Sequence, residues 1–164
     1  STIGNNGWPD SRMVLFKQFN EENIVFFTNY LSKKGEDIFQ NNKVALLFHW
    51  DSLGRQIRIQ GTAKKTSREV SAKYFQSRSE GSQISALLSH QSNEIPSYEW
   101  LLGEFDKLNK EKREKKIECP DFWGGVEIKI EKIEFWQEQT NRLHKRELYT
   151  KAEDLRWEIK YLSP

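Results

Sequence analysis

The sequence is nearly devoid of cysteine. A single thiol, Cys119, excludes an internal disulfide, and three scattered histidines beside it make no zinc-binding pattern, so no metal site is expected. A reducing compartment fits that usage. No apolar run approaches the ~18 residues of a membrane-crossing helix, and the opening STIGNNGWPD has no apolar signal core. The expected setting is therefore cytoplasmic, with no membrane partner. Charge of one sign is also scarce. Twenty-six Lys and Arg against 24 Asp and Glu leave a net charge of +2, too little for a polyanion binder that works by overall charge. Any anion site has to come from local clustering. Repeats, low-complexity tracts and interdomain linkers are missing, as is a GxGxxG dinucleotide motif.

What is present points to a folded domain. Aromatic residues make up 13% of the chain, including six Trp, which sets it apart from a disordered chain even with 30% charged residues. Asn-Gly followed by Pro within Gly4 to Asp10 marks a tight turn, with the end of a strand before it. Arg12 to Phe19 and Ile24 to Asn29 read as a hairpin around NEEN, Val44 to Trp50 as a buried strand, and Arg55 to Lys65 as a half-buried one. Val126, Ile128 and Ile130 share one parity, and Ile133 and Phe135 the other. The slip at Glu131-Lys132 predicts a turn or bulge that re-aims the strand after it. Glu147 to Lys151 and Trp157 to Leu162 form a last hairpin.

Helices are fewer. Ser32 caps one through Gln40, and Thr66 with Glu69 forms a capping box for the next. Gly81-Ser82 opens a third, and Ser97 caps a fourth with Leu101, Phe105 and Leu108 as its core stripe. Lysines from Lys107 to Lys116 are interleaved with Glu111 and Glu114, the pattern of a solvated face, so no nucleic-acid partner is expected. The expectation is one mainly β domain with a few helices (α+β), spanning residues 1–164.

Three clusters carry chemistry. In EFWQEQTNRLHKR, Glu134 to Arg146, a strand ends in a polar loop that delivers Arg142, His144 and Arg146 at a spacing of two. If that piece is extended, two guanidinium groups and an imidazole share a face and meet an anion; otherwise it is a solvated basic turn. Lys33 and Lys34 begin a helix, where cations oppose the macrodipole unless an anion binds there, or else form an exposed surface pair. Tyr74 and Arg78 lie four apart before the Gly81-Ser82 helix start. They can share one anion with it, or belong to an ordinary linker.

Seven strings in order, RMVLFK (12–17), FFTNYLSKKG (26–35), RQIRIQG (55–61), YFQSRSEGSQI (74–84), SHQS (89–92), WGG (123–125) and EFWQEQTNRLHKR, resemble the pyridoxine (pyridoxamine) 5′-phosphate oxidase family. The likeness runs from about Asn6 to Pro164. It implies an FMN-binding split β-barrel, a homodimer with the flavin between subunits, and oxidation of pyridoxine or pyridoxamine phosphate to pyridoxal phosphate with O2 as acceptor. The implied cofactor residues are Arg12, Met13, Val14, Leu15, Phe16, Lys17, Phe27, Thr28, Lys33, Lys34 and Gln56, with Gln91, Ser92, Trp136 and Arg146 completing the site across the interface. Substrate phosphate falls to Lys17, Tyr74, Arg78 and Ser82, while Arg142, Leu143 and His144 meet the pyridine, with Arg142 and His144 as the catalytic pair.

The chain departs from the family in three places. Lys145 stands where the family has Asp, removing a carboxylate that could pair with Arg142 or Arg146. Lys33 replaces an Arg, exchanging a bidentate phosphate fork for a point charge. The chain begins at Ser1, after a segment that in the family helps cover the active site, so a trimmed start and a more open site are expected. Within the same fold, a phenazine-type flavin oxidase or a flavin binder without turnover are the alternatives.

Overall fold

A computed structural model describes every residue except 21, 113, 114, 153 and 155. The strands are β1 (Thr2–Ile3), β2 (Pro9–Asp10), β3 (Gln18–Asn20) and β4 (Asn23–Asn29), then α1 (Lys33–Gln40), β5 (Lys43–Trp50) and β6 (Arg55–Lys65). Three helices follow, α2 (Arg68–Gln76), α3 (Glu80–Leu88) and α4 (Tyr98–Lys112), before β7 (Trp123–Gln137), β8 (Lys145–Lys151) and β9 (Trp157–Tyr161). Every strand pairing is antiparallel.

The long strand β7 is the spine. Its first half pairs with β4 and its last with β8, while β6 runs along its other edge and carries β5. The sheet is thus split: β3-β4 leave the spine where β8-β9 take over. The slip at Glu131-Lys132 is a bulge, since the β6–β7 register shifts between Gln60 and Gly61 opposite it. Gly61 is required there, because a Cβ would run into the Lys129 carbonyl. Gly124 lets α2 close on β7; any side chain there would meet the Tyr30 hydroxyl and Ser71.

Phe26, Val44, Ala63, Val126 and Ile128 fill the core on one side of the sheet with Tyr30 and Ile38. A second cluster, Phe75, Ile84, Ile117, Cys119 and Trp123, fastens α2 and α3 to the start of β7 and takes Phe105 and Leu108 of α4. Cys119 is free and buried, and burial pushes its thiol up.

Several local expectations need correction. Of Arg12 to Phe19, only Gln18 and Phe19 are strand, the start of β3; Arg12 to Lys17 runs alongside the sheet, tied to it by the Lys17 N–H on the Val25 carbonyl at 3.1 Å. The hairpin turn includes residue 21, outside the described residues, as is Glu114. β5 is not buried throughout, for Leu47 is 64% and Trp50 41% exposed. The α2 cap is Ser67, which accepts from the Val70 N–H, whereas Thr66 bonds to the Ser71 hydroxyl.

Candidate active site

α1 starts as expected, with Ser32 accepting the Gly35 N–H. Its two lysines then diverge. Lys33 pairs with the buried Asp37, which also takes bonds from the Thr2 hydroxyl. Burial raises the Asp37 carboxyl, but Lys33, Thr2 and Arg12 outweigh it and hold it below the ordinary range. Lys34 has no carboxylate partner among the described residues: its Nζ donates to Thr28 Oγ1 (3.1 Å), Ser32 Oγ (3.1 Å) and Gln91 Oε1 (2.9 Å). Burial, then the nearby Arg12 charge, lowers its pKa. An ammonium held by neutral oxygens alone is an anion seat.

Beside it, Phe27 and Tyr74 stack at 3.8 Å, with the Trp123 ring nearly parallel to both. Lys17 Nζ lies 5.7 Å from the Tyr74 ring centre, and the Arg78 guanidinium 4.7 Å from that of Trp123. Arg78 Nη1 is buried and has no hydrogen-bond partner among the described residues, and burial lowers the group's pKa. A buried orphan donor costs about 1 to 3 kcal/mol, so it marks the place of a missing acceptor. A cavity of about 370 Å³ joins these groups, lined by Met13, Val14, Leu15, Lys17, Phe27, Thr28, Lys34, Tyr74, Arg78 and Gln91.

Five expected residues sit differently. Arg12 spends its fork on Thr2 Oγ1 (2.7 Å) and Asp10, with Asp37 at 4.0 Å. Phe16 packs edge-on against Phe48 and lines a neighbouring apolar cavity of about 480 Å³. Ser82 is absent from the first cavity's lining, its hydroxyl accepting from Ser79 at 2.8 Å. Gln91 and Ser92, expected to act across an interface, stand beside α1 of their own chain; Ser92, at φ 79°, accepts the Lys33 N–H at 3.2 Å.

The remaining residues form a second group at the far end of β7. Gln56 faces Trp136 across β6–β7, and Trp136 faces Arg146 across β7–β8, so all three make one cross-strand row. The His144 ring lies 4.7 Å from the Trp136 indole, and its Nδ1 accepts the Gln139 N–H at 3.3 Å. The neutral ring therefore carries its proton on Nε2. Asn141 (φ 56°) and Arg142 (φ 61°) are left-handed, so the extended RxHxR with one shared face is overturned. Arg142 and Leu143 are exposed. Arg146 finds a carboxylate after all: Nε donates to the buried Glu134 at 2.8 Å, while Lys145 pairs with Glu147 at 3.0 Å. The pull of Glu134 went unread in the sequence, though its polar charge inside an apolar strand was the available signal.

The two groups lie toward opposite ends of β7. Thr28 pairs with Gly124 and Gln56 with Trp136, and from position 124 to 136 a strand at roughly 3.3 Å per residue spans up to about 40 Å.

Residues 1–111 match the family model for pyridoxamine 5′-phosphate oxidase. The chain belongs to this family. Residues 123–164 match the pyridoxine 5′-phosphate oxidase C-terminal dimerisation region, which holds the whole second group except Gln56. Among oxidase relatives, pyridoxine/pyridoxamine 5′-phosphate oxidase 2 of Hydrogenovibrio crunogenus is 47% identical over 164 residues, 100% of this chain and 76% of its own. The pyridoxine/pyridoxamine 5′-phosphate oxidase of Flavobacterium johnsoniae is 47% identical over 163 residues, 99% of this chain and 76% of its own. PhzG from Burkholderia lata, solved with tetrahydrophenazine-1-carboxylic acid, superposes with a TM-score of 0.92 at 26% identity, covering 99% of this chain and 79% of that one. A pyridoxamine 5′-phosphate oxidase-related, FMN binding protein from Nostoc punctiforme shares the fold at a TM-score of 0.81 and 16% identity, covering 99% and 85%. The split barrel is thus the oxidase family's fold. Among the described residues no helix is long and apolar enough to cross a membrane, and no acidic, His and Cys group could hold a metal.

Proposed function

We propose that the chain, acting as one FMN-binding split-barrel domain over residues 1–164, is a homodimeric pyridoxine/pyridoxamine 5′-phosphate oxidase. It converts pyridoxine 5′-phosphate or pyridoxamine 5′-phosphate to pyridoxal 5′-phosphate, with O2 as the final electron acceptor, in the cytoplasm. The observation that carries this reading is the orphaned Arg78 Nη1 in a cavity that also holds Lys17 and Tyr74. A phosphorylated substrate supplies the oxygen that this donor lacks.

FMN suits the residues present. Lys34 offers a cation without a carboxylate, and the Gln56, Trp136 and Arg146 row offers an amide, a flat indole and a guanidinium to a planar ring. When bound, FMN supplies the two-electron redox chemistry by accepting hydride from the substrate's C4′ carbon. The protein's part is to hold and orient. Lys17, Tyr74 and Arg78 fix the phosphate. Arg142, exposed in one chain, covers the pyridine and stabilises charge that develops on it. His144, with Nδ1 occupied, presents Nε2–H to a substrate oxygen.

The separation of the two residue groups along β7 supports a site shared by two chains. A phenazine-type substrate is less well supported, since the relatives at 47% identity are named for the phosphorylated pyridines. Adding pyridoxine 5′-phosphate without oxygen to the FMN-loaded protein tests the reading. The visible absorbance of the oxidised flavin should bleach and return when air is admitted. A flavin that stays oxidised contradicts it.

A further inference from the structure

We propose that Glu134 is a positioning residue that aims the Arg146 guanidinium at the flavin, an inference that rests on the FMN site proposed above. Glu134 is 7% exposed and sits one row along from Gln56, Trp136 and Arg146 on the same face of the sheet. Its Oε1 accepts Arg146 Nε at 2.8 Å, and its Oε2 accepts Arg58 Nη1 at 3.1 Å. Arg146 Nη1 donates in turn to the Ser163 carbonyl at 2.8 Å. Beyond the side chain, the Arg146 carbonyl accepts the Leu162 N–H at 3.0 Å.

A guanidinium is planar, so fixing Nε and one Nη fixes its plane and the direction of the third nitrogen. Nη2 has no protein partner among the described residues and is the donor left for a ligand. Neutralising Glu134 requires only one arginine. Arg58 fills that role from the paired strand, and Arg146 binds through Nε alone instead of closing a two-toothed ion pair that would consume its fork. The arrangement holds Arg146 while keeping a donor aimed outward. Arg146's bond, opposed by burial and aided by Arg58 and Lys132, keeps the Glu134 carboxyl ionised for this task.

The test is FMN binding to flavin-free protein, followed by quenching of flavin fluorescence, for Glu134→Gln, Arg146→Gln and the double variant. Each single change should weaken FMN binding roughly tenfold to a hundredfold, the value of a charge-assisted hydrogen bond. The double variant should bind no more weakly than Arg146→Gln alone, because Glu134 acts only through Arg146. Losses that multiply would show a merely structural carboxylate and overturn the proposal. Glu134→Asp keeps the charge beside Arg58 but withdraws the oxygen from Nε; it should also weaken FMN, and parent affinity in this variant would overturn the proposal even if Glu134→Gln does not fold. Parent affinity in Arg146→Gln would instead overturn the flavin assignment itself, and this inference with it.

Discussion

Gln56 and Trp136 stand directly opposite each other on β6 and β7, and Trp136 faces Arg146 on β8, so residues from three strands form one continuous row. At the other end of β7, Thr28 pairs with Gly124 beside the cavity that holds Lys34 and Arg78. One strand therefore carries the two groups at opposite ends, and the proposed homodimer would bring one chain's first group to its partner's second.

Arg78→Leu should raise KM for the phosphorylated substrate and leave FMN bound. Losing a charge-assisted phosphate bond costs about 1.5 to 3 kcal/mol. The half-buried position tolerates the change, because the orphaned Nη1 disappears with the guanidinium. Steady-state kinetics with flavin content measured in parallel check this.

Arg142→Leu should keep FMN as well, but lower kcat/KM by on the order of 10² to 10³, about 2.7 to 4 kcal/mol of lost transition-state stabilisation. Leucine at φ 61° is no worse placed than arginine, so the backbone is not the cause of any loss. Turnover at the parent rate would remove Arg142 from the chemistry.

Much of this was legible beforehand because its signals are local. Ser32 caps α1, β6 alternates through Arg55–Lys65, and the parity slip in β7 is the bulge, each following from neighbours within a few residues. The expectations that failed depended on distant partners. Arg12 to Lys17 has strand composition, but the Arg12 fork is drawn to Asp10 and Thr2, leaving only Gln18–Asn20 in the ladder. Leu47 and Trp50 look like core and are exposed in one chain. The RxHxR spacing implied a shared face, yet two left-handed residues turn the chain before β8 begins. Glu134 escaped notice because its partners, Arg58 and Arg146, come from two other strands.

Asp37→Asn should destabilise the fold by about 1 to 3 kcal/mol at neutral pH, since it removes the buried acceptor of Lys33 and Thr2. The folded-state pKa of Asp37 lies below its unfolded value, so its contribution is complete above the unfolded pKa of about 4 and is lost as pH falls through the folded one. Melting temperatures of parent and variant should therefore converge on acidification below about pH 4. A gap that widens in acid would contradict the pairing.

Lys145→Asp should leave turnover within about twofold of the parent, a small effect of the kind usual for exposed charges. Arg146 already has Glu134, and the new carboxylate would stand beside Glu147, the present partner of Lys145. A large gain in kcat would show that Arg142, and not Arg146, lacked a carboxylate.

The most direct measurement is activity complementation between subunits. Arg78 lies in one half-site and Arg142 in the other, so Arg78→Leu and Arg142→Leu chains are each impaired alone. When the two are co-expressed with different tags and the mixed dimers form at random, half of all dimers are mixed and each holds one intact site, which restores about a quarter of the parent activity at limiting pyridoxine 5′-phosphate. If the mixture is no more active than the two variants assayed separately, both residues serve the same chain's site and the shared active site is wrong.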